Sequence, residues 1–416
     1  MATLSPSTSD ALKQIIDAAV ADPQNIPGTS VAIANKNGDI LFSYAAGQVG
    51  SETKTPVTVD NIYWIASCTK ISGSIIAMQA VEKGLLDLDS ADDVEKYCPE
   101  LKNIPILKDV SKEGHVTLVP KTKRITLRML LTHTAGFGYS FFNQNLANYS
   151  ELFGIEELTG NSNCVSSPLS FEPGTKWEYG VGIDWACILV SRAEGASLND
   201  LITKNIFEPA GVKDTTMRPD TELKSRLMAM NYRDPSGKLT ERHQPMTASL
   251  SEDVVIREQS IDSAGAGIFS RPAEYVKVLA VLLNKGVAGQ TGKRILKEES
   301  VKEMFTNQIP HWPDFGRQGI DAAIPHLTNP LPEFFPQDGN PPQGWGLSLF
   351  LNLTESPSGR SAGSGFWCGL ANLYYWIDIT KGVTGMVCTQ ILPFADMKVL
   401  TLFGEVEATV YKGLQQ

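Results

Sequence analysis

Residues 61–89 read NIYWIASCTKISGSIIAMQAVEKGLLDLD, and within this run Ser67 and Lys70 stand three apart where an apolar segment turns into a helical one. Two side chains at i and i+3 of a helix share a face, so a lysine amine here reaches the serine hydroxyl. Both fall near the positive end of the helix dipole, which disfavours an ammonium, and partial burial acts in the same direction. Ile71, Ile75, Ile76, Met78 and Val81 recur at a spacing that packs one side of the helix. Two readings stay open at this point. The pair is a nucleophile beside its base, or Ser67 simply caps the helix and Lys70 points to solvent. A second Ser-x-x-Lys string, Ser51 to Lys54, lies in a polar stretch ending at Pro56, and no helix aligns its two side chains.

The bulk of the chain narrows the classes of function. Its 416 residues are 42% hydrophobic and 20% charged, enough for a large buried core. Basic side chains number 36 against 46 acidic, a net of −10, and no stretch concentrates the lysines and arginines. Nucleic acid and anionic membrane are therefore not expected partners. Cysteines at 68, 98, 164, 187, 368 and 388 form no CxxC pair and no framework spacing, so reduced thiols and no zinc site are expected. The leader MATLSPSTSDALKQIIDAAVADP is an amphipathic helix without the basic and apolar regions of a secretory signal. The chain is read as cytoplasmic. His133, in LLTHTAGFGY, reads as structural, and the other four histidines lack partner spacing, so no Ser-His-Asp arrangement is visible.

The organisation follows from periodicity. GTSVAIANKNGDILFSYAAG (28–47) alternates on both sides of Asn37-Gly38, a hairpin signal. GWGLSLFLNL (344–353), GFWCGLANLYYWIDI (365–379) and GVTGMVCTQIL (382–392) read as three further strands, followed by a closing helix, DMKVLTLFGEVEATVYKG. RITLRMLLTH, GIDWACILVSRAEG and PAEYVKVLAVLLNKG have helical spacing with breakers at their ends. The expected plan is α+β. One sheet domain is built from residues 1–66 and 331–416, and a mainly helical region, 67–330, is inserted between its halves. Residues 305–343, rich in Pro, Gly and Asn, read as a long irregular loop.

Ser-x-x-Lys is a signature of β-lactamases and penicillin-binding proteins. IYWIASCTK, GLLDLDSADDVEKYCPEL, ITLRMLLTHTAG, FEPGTKWEYG and GAGIFSRPAEYVKVL together resemble that superfamily in its class C and esterase branch. Order and spacing fit from about residue 10 to 410. The resemblance implies a β-lactamase/transpeptidase-like fold, an antiparallel sheet flanked by helices. It also implies that Tyr179, in EPGTKWEYGVGIDWA, is the third catalytic residue beside Ser67 and Lys70. Two departures bear on substrate. Val181 stands where the lactamases and peptidases have asparagine, and Trp367-Cys368-Gly369 stands where they have Lys/His-Thr-Gly. The acyl-transfer groups are kept while the hook for an anionic substrate is lost.

That combination is similar to the family's esterases and transesterases, above all the fungal polyketide side-chain enzymes. The resemblance implies attack by Ser67 on an ester, with Lys70 and Tyr179 sharing the proton transfers. Backbone N–H groups of Ser67 and Leu370 are expected to form the oxyanion hole. Trp367, Gly369, Tyr139 and Trp345 are the expected substrate contacts. The expected reaction partners are a small-molecule ester, or an acyl carrier, as donor and water or an alcohol as acceptor, with no metal or organic cofactor. A β-lactamase or D-amino-acid peptidase, and a non-catalytic binder on the same scaffold, are the alternatives.

Overall fold

A computed structural model describes residues 1–415. Its centre is a seven-stranded, wholly antiparallel sheet. In chain order the strands are β1 (Gly28–Asn35), β2 (Ile40–Gly47), β3 (Gln343–Trp345), β4 (Phe350–Asn352), β5 (Gly365–Gly369), β6 (Leu373–Asp378) and β7 (Val383–Cys388). Across the sheet they run β3-β4-β5-β6-β7-β1-β2, so the two ends of the chain meet at the β7–β1 pair, where Met386 lies opposite Ala32. The Asn37-Gly38 hairpin joins β1 to β2 as expected, with Gly38 in the left-handed region.

Helices cover both faces, which is why β1, β5, β6 and β7 are buried along their whole length. Alternation along β6 shows the two sides. Tyr374 stacks on Phe403 of α5 (Met397–Gly413) and Trp376 meets the same ring edge-on, and α5 packs with α1 (Pro6–Ala19). The opposite face is covered by α4 (Pro272–Leu283), which lies against β1, β7 and β6. Behind it, α2 (Lys70–Glu82) packs on α3 (Gly182–Glu194). No helix among the described residues is long and apolar enough to cross a membrane. All six cysteines are free and buried.

Two expectations need correction. GWGLSLFLNL is two strands, turning at 346–349 with Ser348 at φ +69°, and GFWCGLANLYYWIDI is likewise a hairpin turning at 370–372. Continuous apolar runs hide such turns, because neither carries the polar Gly/Pro/Asn cluster that marks an exposed one. The second turn is held by Asn372. It sits at φ +58°, donates to the Ile391 and Pro393 carbonyls at 2.9 Å each, and accepts from Tyr374 Oη at 3.0 Å.

The helix α2 does not bury one side only. Every residue from Lys70 to Ala80 is buried, so it is a central helix rather than an amphipathic one. Between its helices the stretch 67–330 also carries strands. It contains the hairpin Pro105–Val110/Val116–Pro120 and a second, Met230–Arg233/Leu239–Arg242, that pairs with Ile391–Leu392. Its helix α4 belongs to the sheet's cover. Residues 305–342 hold neither helix nor strand, as expected of the long loop.

Candidate active site

The segment before Ser67 is pinned from three directions. Tyr63–Trp64 pairs with Phe269–Ser270, the Trp64 indole N–H donates to the Ala266 carbonyl at 2.5 Å, and the Gln390 side chain bonds both backbone groups of Trp64. Ala66 is thereby held at φ +45°, a costly conformation for a residue with a Cβ. The helix does not open at Ser67. A 3-10 turn, Ala66–Thr69, carries the serine and feeds into α2 at Lys70. The tighter turn still aligns i with i+3, so the local expectation about the pair survives. Strand β5 comes close enough to touch this turn only because residue 369 is glycine. A Cβ there would lie 2.7 Å from the Ile65 carbonyl and 3.2 Å from Ala66 Cβ.

Lys70 is fully buried. Its Nζ lies 3.1 Å from Ser67 Oγ, 2.9 Å from Tyr139 Oη and 2.8 Å from the Gly265 carbonyl. Burial pushes the amine down to about 8, while the negative charge of Asp184 pulls the other way. Three oxygen partners within hydrogen-bond distance suit both protonation states. An ammonium donates to all three. A neutral amine keeps two donations and turns its lone pair to the Ser67 hydroxyl. The exposed-lysine alternative is excluded by this placement.

Tyr179, 6% exposed, stands across from the amine, whose Nζ sits 4.7 Å from the phenol ring centre. Its hydroxyl accepts from the indole N–H of Trp367 at 2.9 Å. Burial holds the phenol well above its ordinary range, and the contacts with Ser67 and Trp367 only partly offset this. The group is therefore protonated at neutral pH, and with Trp367 occupying a lone pair its O–H is free to turn toward Ser67. Beneath Tyr179 packs His133, 4.6 Å ring to ring. Burial first, then the charge on Lys70, drive this imidazole well below its usual value. Its Nδ1 accepts from the Gly180 N–H at 3.3 Å, so it is a neutral support for the tyrosine segment, as expected.

Ser67, Tyr179, Trp367 and Leu370 line one narrow cavity with Phe141, Phe142, Phe334, Cys368 and Phe394, its volume about 20 Å³. No charged side chain borders it. Among the described residues no backbone carbonyl accepts from the Ser67 or Leu370 N–H, which leaves both available at the cavity wall. Of the expected contact residues, Trp367 is on the wall and Gly369 is not. Tyr139 and Trp345 do not line the cavity either. Tyr139 is a polar partner of Lys70, and Trp345 packs behind Trp367 and His133 at 4.7 and 5.3 Å. Both were expected at the site because they neighbour the motifs in sequence, which does not say which way a ring faces.

Several site residues carry no sequence signal that the reading used. Phe334 enters from the long loop and Phe394 from beyond Leu392; Gly265 opens the GAGIFSRPAEYVKVL stretch, but its part is played by a backbone carbonyl, which no motif marks. Ser140 is fixed by Glu157, whose two oxygens accept from its N–H at 2.9 Å each and from its hydroxyl at 2.7 Å. A Gly-x-Ser-x-Gly string, Gly359 to Gly363, forms no nucleophile elbow. Its Ser361 lies in the connection between β4 and β5, its N–H donating to Asp378 at 2.9 Å. Among the described residues no group of three His, Cys, Asp or Glu side chains is placed to hold a metal ion.

Comparison with known proteins adds to this geometry. The beta-lactamase family model matches residues 12–404. A lovastatin esterase from Penicillium rubens is 30% identical over 412 residues, covering 91% of this chain and 94% of the relative. A monacolin J acid methylbutanoyltransferase from Aspergillus terreus is 29% identical, covering 94% and 93%. A solved mutant of simvastatin synthase from Aspergillus terreus superposes with a TM-score of 0.78 at 28% identity, covering 98% of this chain and 95% of that one.

Proposed function

The chain belongs to the beta-lactamase family, and from that premise we propose that it cleaves or exchanges the ester of a bulky, largely apolar, polyketide-like metabolite through an acyl-Ser67 intermediate. The observation that carries this reading is the buried Lys70 amine, 3.1 Å from Ser67 Oγ at the edge of an uncharged aromatic cavity. The relatives named as an esterase and as an acyltransferase support ester chemistry on such compounds.

Attack transfers the Ser67 proton to the Lys70 lone pair as Oγ bonds to the ester carbonyl carbon. Tyr179, a neutral phenol, gives its proton to the departing alkoxide and regains one from Lys70. Water or an alcohol then attacks the acyl-enzyme along the reverse route. With Tyr179 held well above its ordinary range and Lys70 pushed down to about 8, the amine is the resting base. The N–H groups of Ser67 and Leu370 hold the oxyanion, each worth roughly 3 kcal/mol of barrier.

The cavity leaves only about 20 Å³ for a bound molecule, far below the roughly 300–1,000 Å³ of pockets that take drug-sized ligands, so a substrate enters by displacing the aromatic rings that line it. The cavity suits a short acyl group, with the rest of the ester outside. The donor is a small ester or an acyl carrier's thioester, the acceptor water or an alcohol. Incubation with p-nitrophenyl butanoate, with and without a bulky alcohol, separates the outcomes. Intact mass should show one acyl group on Ser67, absent in Ser67→Ala. Free acid alone in the presence of alcohol excludes transfer. Nitrocefin turnover at enzymatic rates would overturn the loss of anionic substrates inferred from Trp367.

A further inference from the structure

A buried carboxylate stands behind the Lys70 amine. Asp184, in the first turn of α3 and 5% exposed, accepts at Oδ1 from Ser263 Oγ at 2.7 Å and from the Gly265 N–H at 2.9 Å. Ser263 Oγ accepts in turn from the Ala266 N–H at 3.0 Å. One carboxylate therefore shapes the turn 263–266, and that turn delivers the Gly265 carbonyl to Lys70 Nζ at 2.8 Å. The fit is close. A Cβ on residue 265 would lie 2.2 Å from Asp184 Oδ2 and 3.0 Å from Tyr139 Oη.

We propose that Asp184 is a positioning residue for the Lys70 amine, acting through the Gly265 carbonyl and through its own charge. It supplies the negative charge that the amine meets when it takes the Ser67 proton. The inference rests on reading Lys70 as the base.

The other titratable groups around the amine do not compete for this role. Cys68 on its own turn and Cys368 on β5 are thiols, and Tyr139 and Tyr179 are phenols. Burial pushes all four upward, so they stay neutral at pH 7. His133 is neutral because burial and Lys70 push it down. Glu157, raised to about 7 by burial, is spent on Ser140. Asp184 is the carboxylate whose field reaches Lys70, and it raises the amine against the effect of burial.

The test uses Asp184→Asn, which keeps the oxygen acceptor and removes the charge. Lys70 is titrated by carbon-13 NMR of labelled lysine in the Ser67→Ala background, and kcat/KM is followed against pH in the Ser67 enzyme. The expected result is a Lys70 midpoint, and an acid limb of kcat/KM, lowered by about half a unit or more, with the high-pH plateau reduced about tenfold. A merely structural role would lower the plateau and leave the midpoint in place, and that result overturns the proposal.

Ser263→Ala keeps the charge and loosens the turn. It should lower the plateau with the limb unmoved, and wild-type rates in that variant overturn the positioning half even where the asparagine variant fails to fold. Ester turnover persisting in Ser67→Ala would sink the acyl-enzyme reading instead, while the NMR coupling of Asp184 to Lys70 would stand.

Discussion

The indole N–H of Trp367 donates to the hydroxyl oxygen of Tyr179 at 2.9 Å, with the two rings 5.0 Å apart. The residue that stands at the place of the third motif's cationic hook therefore points at the phenol proposed to carry the proton rather than into the cavity as a hook for a substrate carboxylate. It occupies a lone pair of the phenol and leaves the O–H to face Ser67.

Trp367→Phe keeps the ring and deletes that donor. Losing one hydrogen bond inside a buried network is worth about 1–2 kcal/mol, so kcat on a p-nitrophenyl ester should fall about tenfold with KM nearly unchanged. A rise in KM with kcat intact would mean that the indole serves binding alone.

Lys70, lowered by burial to about 8, should give kcat/KM an acid limb of unit slope with a midpoint near that value. The same shift carries a stability cost of known sign. A folded-state value below the ordinary 10.5 means that the wild-type amine favours folding most above pH 10.5 and loses that contribution as pH falls through about 8. Lys70→Met should be inactive. Relative to wild type it should gain roughly 3 kcal/mol between pH 11 and pH 7, read from urea unfolding at the two pH values. An unchanged difference would show that the amine is not charged and buried together.

Glu157 carries the opposite sign. Burial raises it to about 7 from 4.5, so its contribution is complete below pH 4.5 and is lost as pH rises through 7. Glu157→Gln should narrow its stability deficit, or overtake wild type, between pH 5 and pH 8. Because Glu157 holds Ser140 beside Tyr139 and the cavity residues Phe141 and Phe142, the variant's KM should rise as well. Parallel stability curves for the two proteins across that range would refute the assignment.

Phe334 closes the cavity from the long loop, its ring 5.7 Å from Trp367 and 6.1 Å from Phe142. Phe334→Ala should move the preferred p-nitrophenyl ester from about four carbons toward eight, at a cost of about 3 kcal/mol or less in stability for a ring on a loop. A chain-length profile identical to wild type would place the acyl group elsewhere.

Much of this was readable from local pattern. Ser67 and Lys70 are three apart, and any right-handed helical turn puts them on one face, but only the burial of Lys70 excludes the exposed alternative. The β1–β2 hairpin was equally local, since Asn37-Gly38 is itself the turn. The β5–β6 turn is hard to read locally because Gly369 and Asn372 are single breaks in an otherwise apolar run, not a polar cluster. What makes that turn is Asn372 bonding to the Ile391 and Pro393 carbonyls, which a strand-by-strand reading does not bring near.

The amino-acid order by itself thus determined the shared helical face of Ser67 and Lys70, the antiparallel hairpins with visible turn residues, and, through its motifs, the family. The tertiary structure alone decided what surrounds the pair. Tyr139 is a partner of the amine and not a cavity wall, Trp367 bonds the tyrosine, and Asp184 stands behind Gly265. The reason is physical: hydrogen bonds and burial that join residues far apart in the chain depend on how helices and strands pack, and that packing leaves no period or spacing in the sequence to read.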